Sequence, residues 1–244
     1  GADGLHSVLR QQMLGPEQPR YTGNLAWRAV VPTEALSSPP PPTACVWVGQ
    51  GCHAVTTRLR AGSMVNFVGV VETPAPSEES WRQEGDRADV AAVFDDWDAS
   101  LAEVVAKAPV FHRWALFDRA PLPRWSEGAV TLLGDAAHPM MPSMAQGAVQ
   151  AMEDAWRLAM ALAPARSAQD VPEALARFFQ DRIARTLHIQ RVSLANAGMF
   201  HRASPLGRLA YYTPMAIVAA LMPGIVHGRQ DPVYGYDAVH TPVL

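Results

Sequence analysis

"GDAAHPMMPSMAQGAVQAMEDA", residues 134–155, sets an acid, a histidine, two prolines and a glycine between two regular elements. Upstream, "GAVTLLGD" (128–135) is a continuous apolar run closed by Gly134 and Asp135, which reads as a fully buried strand. Downstream, Ala148, Met152, Ala155, Ala159 and Leu162 recur at alternating intervals of 4 and 3. They form the expected core stripe of a helix from Ser143 to about Leu162, with Glu153 and Arg157 as a surface i, i+4 pair. A buried strand that ends in an acid and leads into a helix N-terminus is where α/β proteins place ligands. Asp135 at that edge can accept hydrogen bonds from polyol hydroxyls, and the unpaired N–H groups of the next helix can face carbonyl or anionic atoms. The pair suits a polyol joined to a polar ring. A reading without any ligand also stands, because Ser143 and Gln146 have the S-x-x-Q spacing of a capping box, which would make Gln146 a cap partner only. Gly147 in a first helical turn costs about 1 kcal/mol relative to alanine and permits close approach of something flat. Pro139 and Pro142 would stiffen the connecting loop.

The 244 residues suffice for one large domain or two small ones, with a core that needs neither disulfide nor metal. Twenty Lys and Arg against 23 Asp and Glu give a formal charge of −3 and no basic stripe, so nucleic acid is not an expected partner. Cys45 and Cys52 form neither a C-x-x-C pair nor a ligand cluster; no metal site is expected, and the chain reads as cytoplasmic. The start has neither a basic leader nor an apolar run of signal-peptide type. "LAYYTPMAIVAALMPGIV" (209–226) is 18 uncharged residues long, but Pro214 and Pro223 interrupt it, so a buried helix with a proline-marked end is expected in place of a membrane span.

Elsewhere, "GADGLHSVLR" (1–10) reads as a strand end, a tight turn on Gly4 and a short helix. "LAWRAVV" (25–31) is strand-like, and "TEALSSPPPP" (33–42) is a loop. "TACVWVGQ" (43–50), "HAVTTRLR" (53–60) and "SMVNFVGVVE" (63–72) form an expected antiparallel meander, in which period two puts His53, Val55, Thr57 and Leu59 on one face. Apolar positions from Val90 to Val105 predict one amphipathic helix over 86–107, ended by Pro109. A further helix is expected over 171–197, with Pro172 in its first turn and Gly198 past its end.

"LFDRAPLPRWSEGAVTLLGDAAHPMMPSMAQGAVQAMEDAWRLA" (116–159) closely resembles the G-D motif, the second FAD-binding motif, of the single-component flavoprotein aromatic hydroxylases. The resemblance is to their salicylate hydroxylase-like and 3-hydroxybenzoate 6-hydroxylase-like branch. "GADGLHSVLR" resembles that family's D-G motif, and "DPVYGYDAV" (231–239) its C-terminal signature. The resemblance implies an α/β fold with α+β character, the C-terminal part of an FAD/NAD(P)-binding Rossmann-like fold with an inserted antiparallel substrate-domain sheet. Its segments would be 1–20 (D-G motif), 21–125 (substrate domain), 126–165 (G-D strand and helix) and 166–244 (C-terminal helices).

The resemblance also implies roles. Gly134 and Asp135 would bind the FAD ribityl chain, and the backbone of Gly147, Ala148 and Val149 would meet the isoalloxazine. Pro139 would lie over the ring where substrate and flavin meet and, with Gln146, is a catalytic candidate, while Asp3 and Arg10 would support the pyrophosphate region and the approach of NADH or NADPH. In such enzymes the nicotinamide reduces FAD, O2 adds to give a C4a-hydroperoxyflavin, and one oxygen passes to a small aromatic, phenolic substrate. The family's meander commonly carries H-x-x-x-Y-P-x-R. Here "HAVTTRLR" keeps the histidine as His53, the expected base, but has Thr57 for the tyrosine and Arg58 for the proline, so Thr57 would reshape the substrate pocket. His138 is read as structural. The choice of NADH or NADPH, the aromatic acid and the oligomeric state, a homodimer included, are left open.

The family opens with a G-x-G-x-x-G βαβ unit, which this sequence lacks. By analogy about 150 residues would precede Gly1. A non-enzymatic alternative is therefore a catalytically silent remnant or an aromatic-ligand-binding module. A hydrolase built on Ser143, His138 and Asp135 is disfavoured, because there is no G-x-S-x-G turn.

Overall fold

A computed structural model of the chain describes residues 1–74, 83–201 and 204–242. The chain divides into two compact units, one of Gly1–Arg20, Phe117–Gly198 and Arg208–Leu244, the other of Tyr21–Leu116 and Met199–Gly207. The fold is α/β, with an antiparallel sheet inserted between parts of the helical unit.

The sheet unit follows from the two-residue period, which puts one set of apolar side chains on a common face. Strands β1 (Arg20–Pro32), β2 (Cys45–Val48), β3 (Cys52–Leu59), β4 (Met64–Glu72), β5 (Glu84–Gly85) and β6 (Phe111–Asp118) lie in the order β2-β3-β4-β1-β6-β5. The predicted meander is present: β2, β3 and β4 pair antiparallel, with Thr57 opposite Asn66 and His53 opposite Val70. One face of the sheet carries Trp27, Ala29, Val31, Ala54, Val65 and Phe67 into a core completed by Val90, Phe94, Leu101, Val104 and Val105. Phe67 meets the Phe94 and Phe111 rings edge-on, at 5.5 and 5.9 Å between centroids.

The helix expected over 86–107 is two helices, α2 (Arg87–Phe94) and α3 (Ala99–Lys107). The aspartates explain the break. Asp86 caps α2 by accepting from the Ala88 N–H, and Asp98 caps α3 by accepting from the Ser100 N–H, each at 2.9 Å, so the chain restarts a helix at Asp98 while keeping the apolar face continuous.

In the helical unit, α1 (Val8–Leu14) follows the predicted turn at Gly4 (φ +78°) and is capped by Ser7. The buried strand expected over 128–135 is only a two-residue strand, β8 (Val130–Thr131), in a hairpin with β7 (Ser126–Glu127). On the other side Gly1 pairs with the Thr131 carbonyl and the Leu133 N–H, and from Gly134 the chain leaves the extended form in a 3-10 turn, Gly134–Ala136. The apolar run is short because Gly134 at φ +59° turns it.

Helix α4 (Gly147–Leu162) starts four residues later than expected, after a 3-10 turn at Pro142–Met144 and the left-handed Ala145. Its buried face also differs: Gln150, Glu153, Asp154, Arg157 and Ala161 point inward, while Met152, Trp156 and Met160 are exposed. The expected surface pair Glu153 and Arg157 is buried. Polar and apolar stripes share the helical period, and charges can occupy the inner one because α5 (Val171–Phe200) supplies their counterions. Arg182 bonds Asp154 at 2.8 Å and Glu153 at 2.7 Å, Arg185 bonds Glu153 at 2.7 Å, and Asp181 pairs with Arg157. Helix α5 runs through Gly198 to Phe200 instead of ending there.

The apolar stretch 209–226 falls in α6 (Pro205–Leu221) and α7 (Pro223–Gly228), followed by α8 (Asp231–Tyr234). Pro214 sits inside α6 without ending it, and α6 has no buried residue, contrary to the expected core helix: Leu209 is 65 % and Leu221 74 % exposed. Its described side chains are exposed or at most half-buried. No described helix is long and apolar enough to cross a membrane.

Candidate functional site

Asp135 heads the turn that ends the β7–β8 hairpin segment. Its carboxylate makes no hydrogen bond among the described residues, and burial by the surrounding chain pushes its pKa up, with His138 pulling the other way. It faces the start of α4: a Cβ built on Gly147 would stand 3.8 Å from Asp135 Oδ1. The first intrahelical bond of α4 is from the Gln150 N–H to the Gln146 carbonyl (2.8 Å), so the N–H groups of Gly147, Ala148 and Val149 precede the ladder. An acceptor carboxylate and an open helix N-terminus thus lie side by side. The first offers lone pairs to hydroxyls and the second offers N–H donors and a positive dipole end to carbonyl or anionic atoms.

The turn is held from beneath. Asp154, one face of α4 along, accepts from the Gly134 N–H (2.9 Å), from His138 Nε2 (2.6 Å) and from Arg182 Nε (2.8 Å). Burial raises the Asp154 pKa, but the His138 hydrogen bond, then the attraction of His138 and Arg182, outweigh it and hold the carboxyl below its ordinary value. Gly134 is required here: its φ is +59°, and an added Cβ would sit 3.2 Å from that of Ala151. Arg10, fully buried, donates to the carbonyls of Ala136 (3.2 Å) and Ala137 (3.3 Å) and to Glu17. Asp3 accepts from Ser7 Oγ (2.6 Å) and from the Val8 N–H (2.8 Å), capping α1. Both D-G residues are therefore engaged within the protein, Arg10 directly against the loop that carries Asp135.

The capping box does not form. Ser143 Oγ donates to the Ser193 carbonyl, and Gln146, 3 % exposed, accepts from Gln150 Nε2 at 3.1 Å. Pro139 is buried and its carbonyl accepts from Gln190 (2.9 Å). His138 belongs to Asp154 and packs on Trp125 (4.9 Å), as a structural residue would, which leaves no Ser143–His138–Asp135 triad. The C-terminal signature also supports this region: Tyr234 donates to the Met144 carbonyl (3.1 Å), and Arg185 donates to the Pro232 and Val233 carbonyls and stacks on Tyr236 at 4.0 Å.

In the sheet unit, His53 and Thr57 share the face opposite the core with Arg28, Val30, Asn66, His112 and Trp114. Arg28 Nε donates to Asn66 Oδ1 (3.4 Å) and Asn66 Nδ2 to Thr57 Oγ1 (3.3 Å), a polar row across three strands. A groove of about 370 Å³ on the same face is lined by Arg28, Ala29, Val30, Val110, His112 and Trp114. His53, 3 % exposed, bonds His201 through Nδ1 at 2.6 Å and lies under Phe200. Burial first, and then His201, depress its pKa to about 3. The alternation of β1, β4 and β6 could have nominated Arg28, Asn66 and Trp114; no local pattern announces His201, which is 148 residues from His53.

A helical unit with an acid-bearing turn set against an open helix N-terminus, and a sheet unit with one polar, grooved face, define an α/β protein of the cofactor-binding class. The chain belongs to the FAD binding domain family, whose profile matches residues 1–192. It is 38% identical over 202 residues to 3-amino-4-hydroxybenzoate 2-monooxygenase from Streptomyces platensis, covering 82% of this chain and 50% of that protein. It is also 38% identical over 211 residues to 3-hydroxybenzoate 6-hydroxylase from Polaromonas naphthalenivorans, covering 86% and 51%. Among solved structures, a salicylate hydroxylase substrate complex matches 98% of this chain and 61% of its own, at TM-score 0.80 and 25% identity. Klebsiella pneumoniae HpxO complexed with FAD and uric acid matches 87% and 54%, at TM-score 0.75 and 30% identity. The chain spans about half the length of the curated relatives it matches.

Proposed function

We propose that the chain is part of an FAD-dependent monooxygenase that hydroxylates a phenolic or aromatic acid with NADH or NADPH and O2. The observation that carries this is the Asp135 carboxylate, unengaged among the described residues, beside the N–H groups of Gly147, Ala148 and Val149 that precede the α4 ladder, with Gly147 leaving that approach open. The donor set fits the ribityl and ring half of FAD: Asp135 would accept from ribityl hydroxyls, and Gly147, Ala148 and Val149 would direct N–H groups at the ring's polar edge. FAD, when bound, takes reducing equivalents from the nicotinamide and supplies the activated oxygen. Gly134, held by Asp154, fixes the Asp135 turn, and Arg10 holds the two carbonyls that follow it. Asp3 supports this indirectly, by capping the helix that carries Arg10. Pro139 and Gln146 would border the reacting edge, where buried side chains keep water out.

On the sheet face, the Arg28–Asn66–Thr57 row would hold the carboxylate of an aromatic acid, and His53 would take the phenol proton. Hydroxybenzoate and salicylate appear in the names of similar proteins, which supports an aromatic acid as substrate. The protein would act in the cytoplasm, with the acid, O2 and the nicotinamide as its small-molecule partners and a homodimer as a compatible assembly.

The test is to purify the protein, record its flavin spectrum, and follow NADH and NADPH oxidation with and without 3-hydroxybenzoate and salicylate under labelled O2. Flavin uptake and one labelled oxygen atom in the product are expected. Failure to take up FAD at micromolar concentration, or oxidation that no aromatic acid stimulates, would overturn the proposal.

A further inference from the structure

We propose that His201 and Glu72 form, with His53, a relay that carries the substrate's phenol proton from the sheet face to solvent. The inference rests on the reading of His53 as the base. The three groups are in line: His53 Nδ1 meets His201 Nε2 at 2.6 Å, and His201 Nδ1 meets Glu72 Oε1 at 2.9 Å. Exposure rises along that line: His53 and His201 are buried, at 3 % and 9 %, while the Glu72 side chain is 58 % exposed.

Hydrogen bonding fixes the resting protons. Glu72 can only accept, so His201 donates from Nδ1; its Nε2 then accepts, so His53 donates from Nδ1. This leaves His53 Nε2 with a free lone pair and no partner among the described residues. Every contact is satisfied with both rings neutral, and the one basic nitrogen left over is His53 Nε2, the atom that the reading of His53 as base requires.

A phenol proton arriving at Nε2 then moves by bond exchange. The phenol O–H bond breaks, its electron pair stays on oxygen, and an N–H bond forms at His53 Nε2. His53 Nδ1–H passes to His201 Nε2, and His201 Nδ1–H passes to the Glu72 carboxylate, which releases it to water. One proton enters and one leaves, with no change in oxidation state. The reverse passage, which returns a proton to the product oxygen, restores both tautomers. A proton cannot rest on His53, because burial holds its pKa near 3, and the groups that face it are His201, with Glu72 behind, and the apolar Phe200. A base in that setting works only if the proton is handed on.

The experiment mixes FAD-loaded protein with 3-hydroxy-4-nitrobenzoate, a phenolic acid whose phenolate is yellow, and follows phenolate formation by stopped flow. His53→Gln should abolish the bound phenolate. His201→Gln and Glu72→Ala should slow its appearance on the order of 10²-fold with little change in ligand affinity, and acetate should restore the rate of Glu72→Ala. Glu72 is exposed, so its variant tests the relay even where His201→Gln perturbs packing. If His53→Gln leaves the phenolate unchanged, the base reading falls and the relay with it. If His53→Gln abolishes it while His201→Gln and Glu72→Ala behave as wild type, the relay is overturned and the base stands.

Discussion

Asp154→Asn tests whether the buried charge cluster is what holds the Asp135 turn. The native carboxylate accepts three hydrogen bonds, from Gly134 N–H, His138 and Arg182, and is itself 0 % exposed. Breaking a buried ion pair by removing one partner typically costs about 3–5 kcal/mol. Arg182 keeps Glu153 at 2.7 Å as a second counterion, so the lower end, about 3 kcal/mol, applies here. At about 1.4 kcal/mol per decade, that is roughly a 10²-fold faster exchange of the Gly134 amide if it exchanges through local opening of the turn. The assay is amide hydrogen exchange resolved at Gly134, with Glu173→Gln, an exposed helix pair with Arg177, as the control that should change nothing. The pH dependence has a definite sign. Asp154 has a depressed pKa in the folded state, so its contribution is present above about pH 4 and is lost as pH falls through the folded value; the difference between wild type and variant should shrink in acid. A Gly134 amide that exchanges within about threefold of wild type at neutral pH would refute the reasoning.

Asp135→Asn should weaken FAD binding by roughly 10- to 100-fold, the loss of charge-assisted bonds worth about 1.5–3 kcal/mol. It should leave the stability of the flavin-free protein within about 0.5 kcal/mol of wild type, since the residue is exposed and makes no hydrogen bond among the described residues; flavin fluorescence and urea titration read the two effects. Gly134→Ala should lose about 1–2 kcal/mol in thermal denaturation, because the residue must keep φ +59° against Ala151, and a neutral result would show that the turn can relax. His53 should stay unprotonated in a ¹⁵N titration from pH 8 to 5; its stabilisation of the sheet unit is full above about pH 6.5 and fades as pH falls toward about 3. Ile217→Asn on α6 should change stability by less than about 0.5 kcal/mol, as the side chain is already 53 % exposed, whereas a larger loss would mean that α6 is covered in solution.

Period-two alternation made the meander legible because β3 and β4 turn one apolar set toward a common core and the three strands are adjacent in sequence. The same rule placed His53 and Thr57 together. Helix positions were legible from period and caps, but Asp98 split one predicted helix into two, since a cap can form wherever an acid precedes three free N–H groups. The face of α4 was misread for a different reason. Apolar and polar residues on it repeat with the same period, and hydrophobicity alone assigns the apolar stripe to the core. What reverses the choice is Arg182 and Arg185, about thirty residues on, whose pairing with Glu153 and Asp154 only a tertiary contact reveals. His201 and Glu72 were invisible for the same reason.

That reversal explains how the G-D stretch works as a unit. If, as proposed, Asp135 accepts from a ligand hydroxyl while the first N–H groups of α4 meet the same ligand's ring, the two need a fixed mutual position within about 0.5 Å. An apolar contact between turn and helix would tolerate slippage, because dispersion is non-directional. Asp154 instead ties the Gly134 N–H, at the head of the Asp135 turn, to the second turn of the helix whose first turn holds Gly147. Arg182 fixes Asp154, and Gln150, which bonds both Gln146 and Arg182, carries the same network to the N-cap. The inward polar face of α4 thus holds the turn against the helix by directional bonds, and on the proposed reading loosening any of them should lower flavin affinity as well as stability.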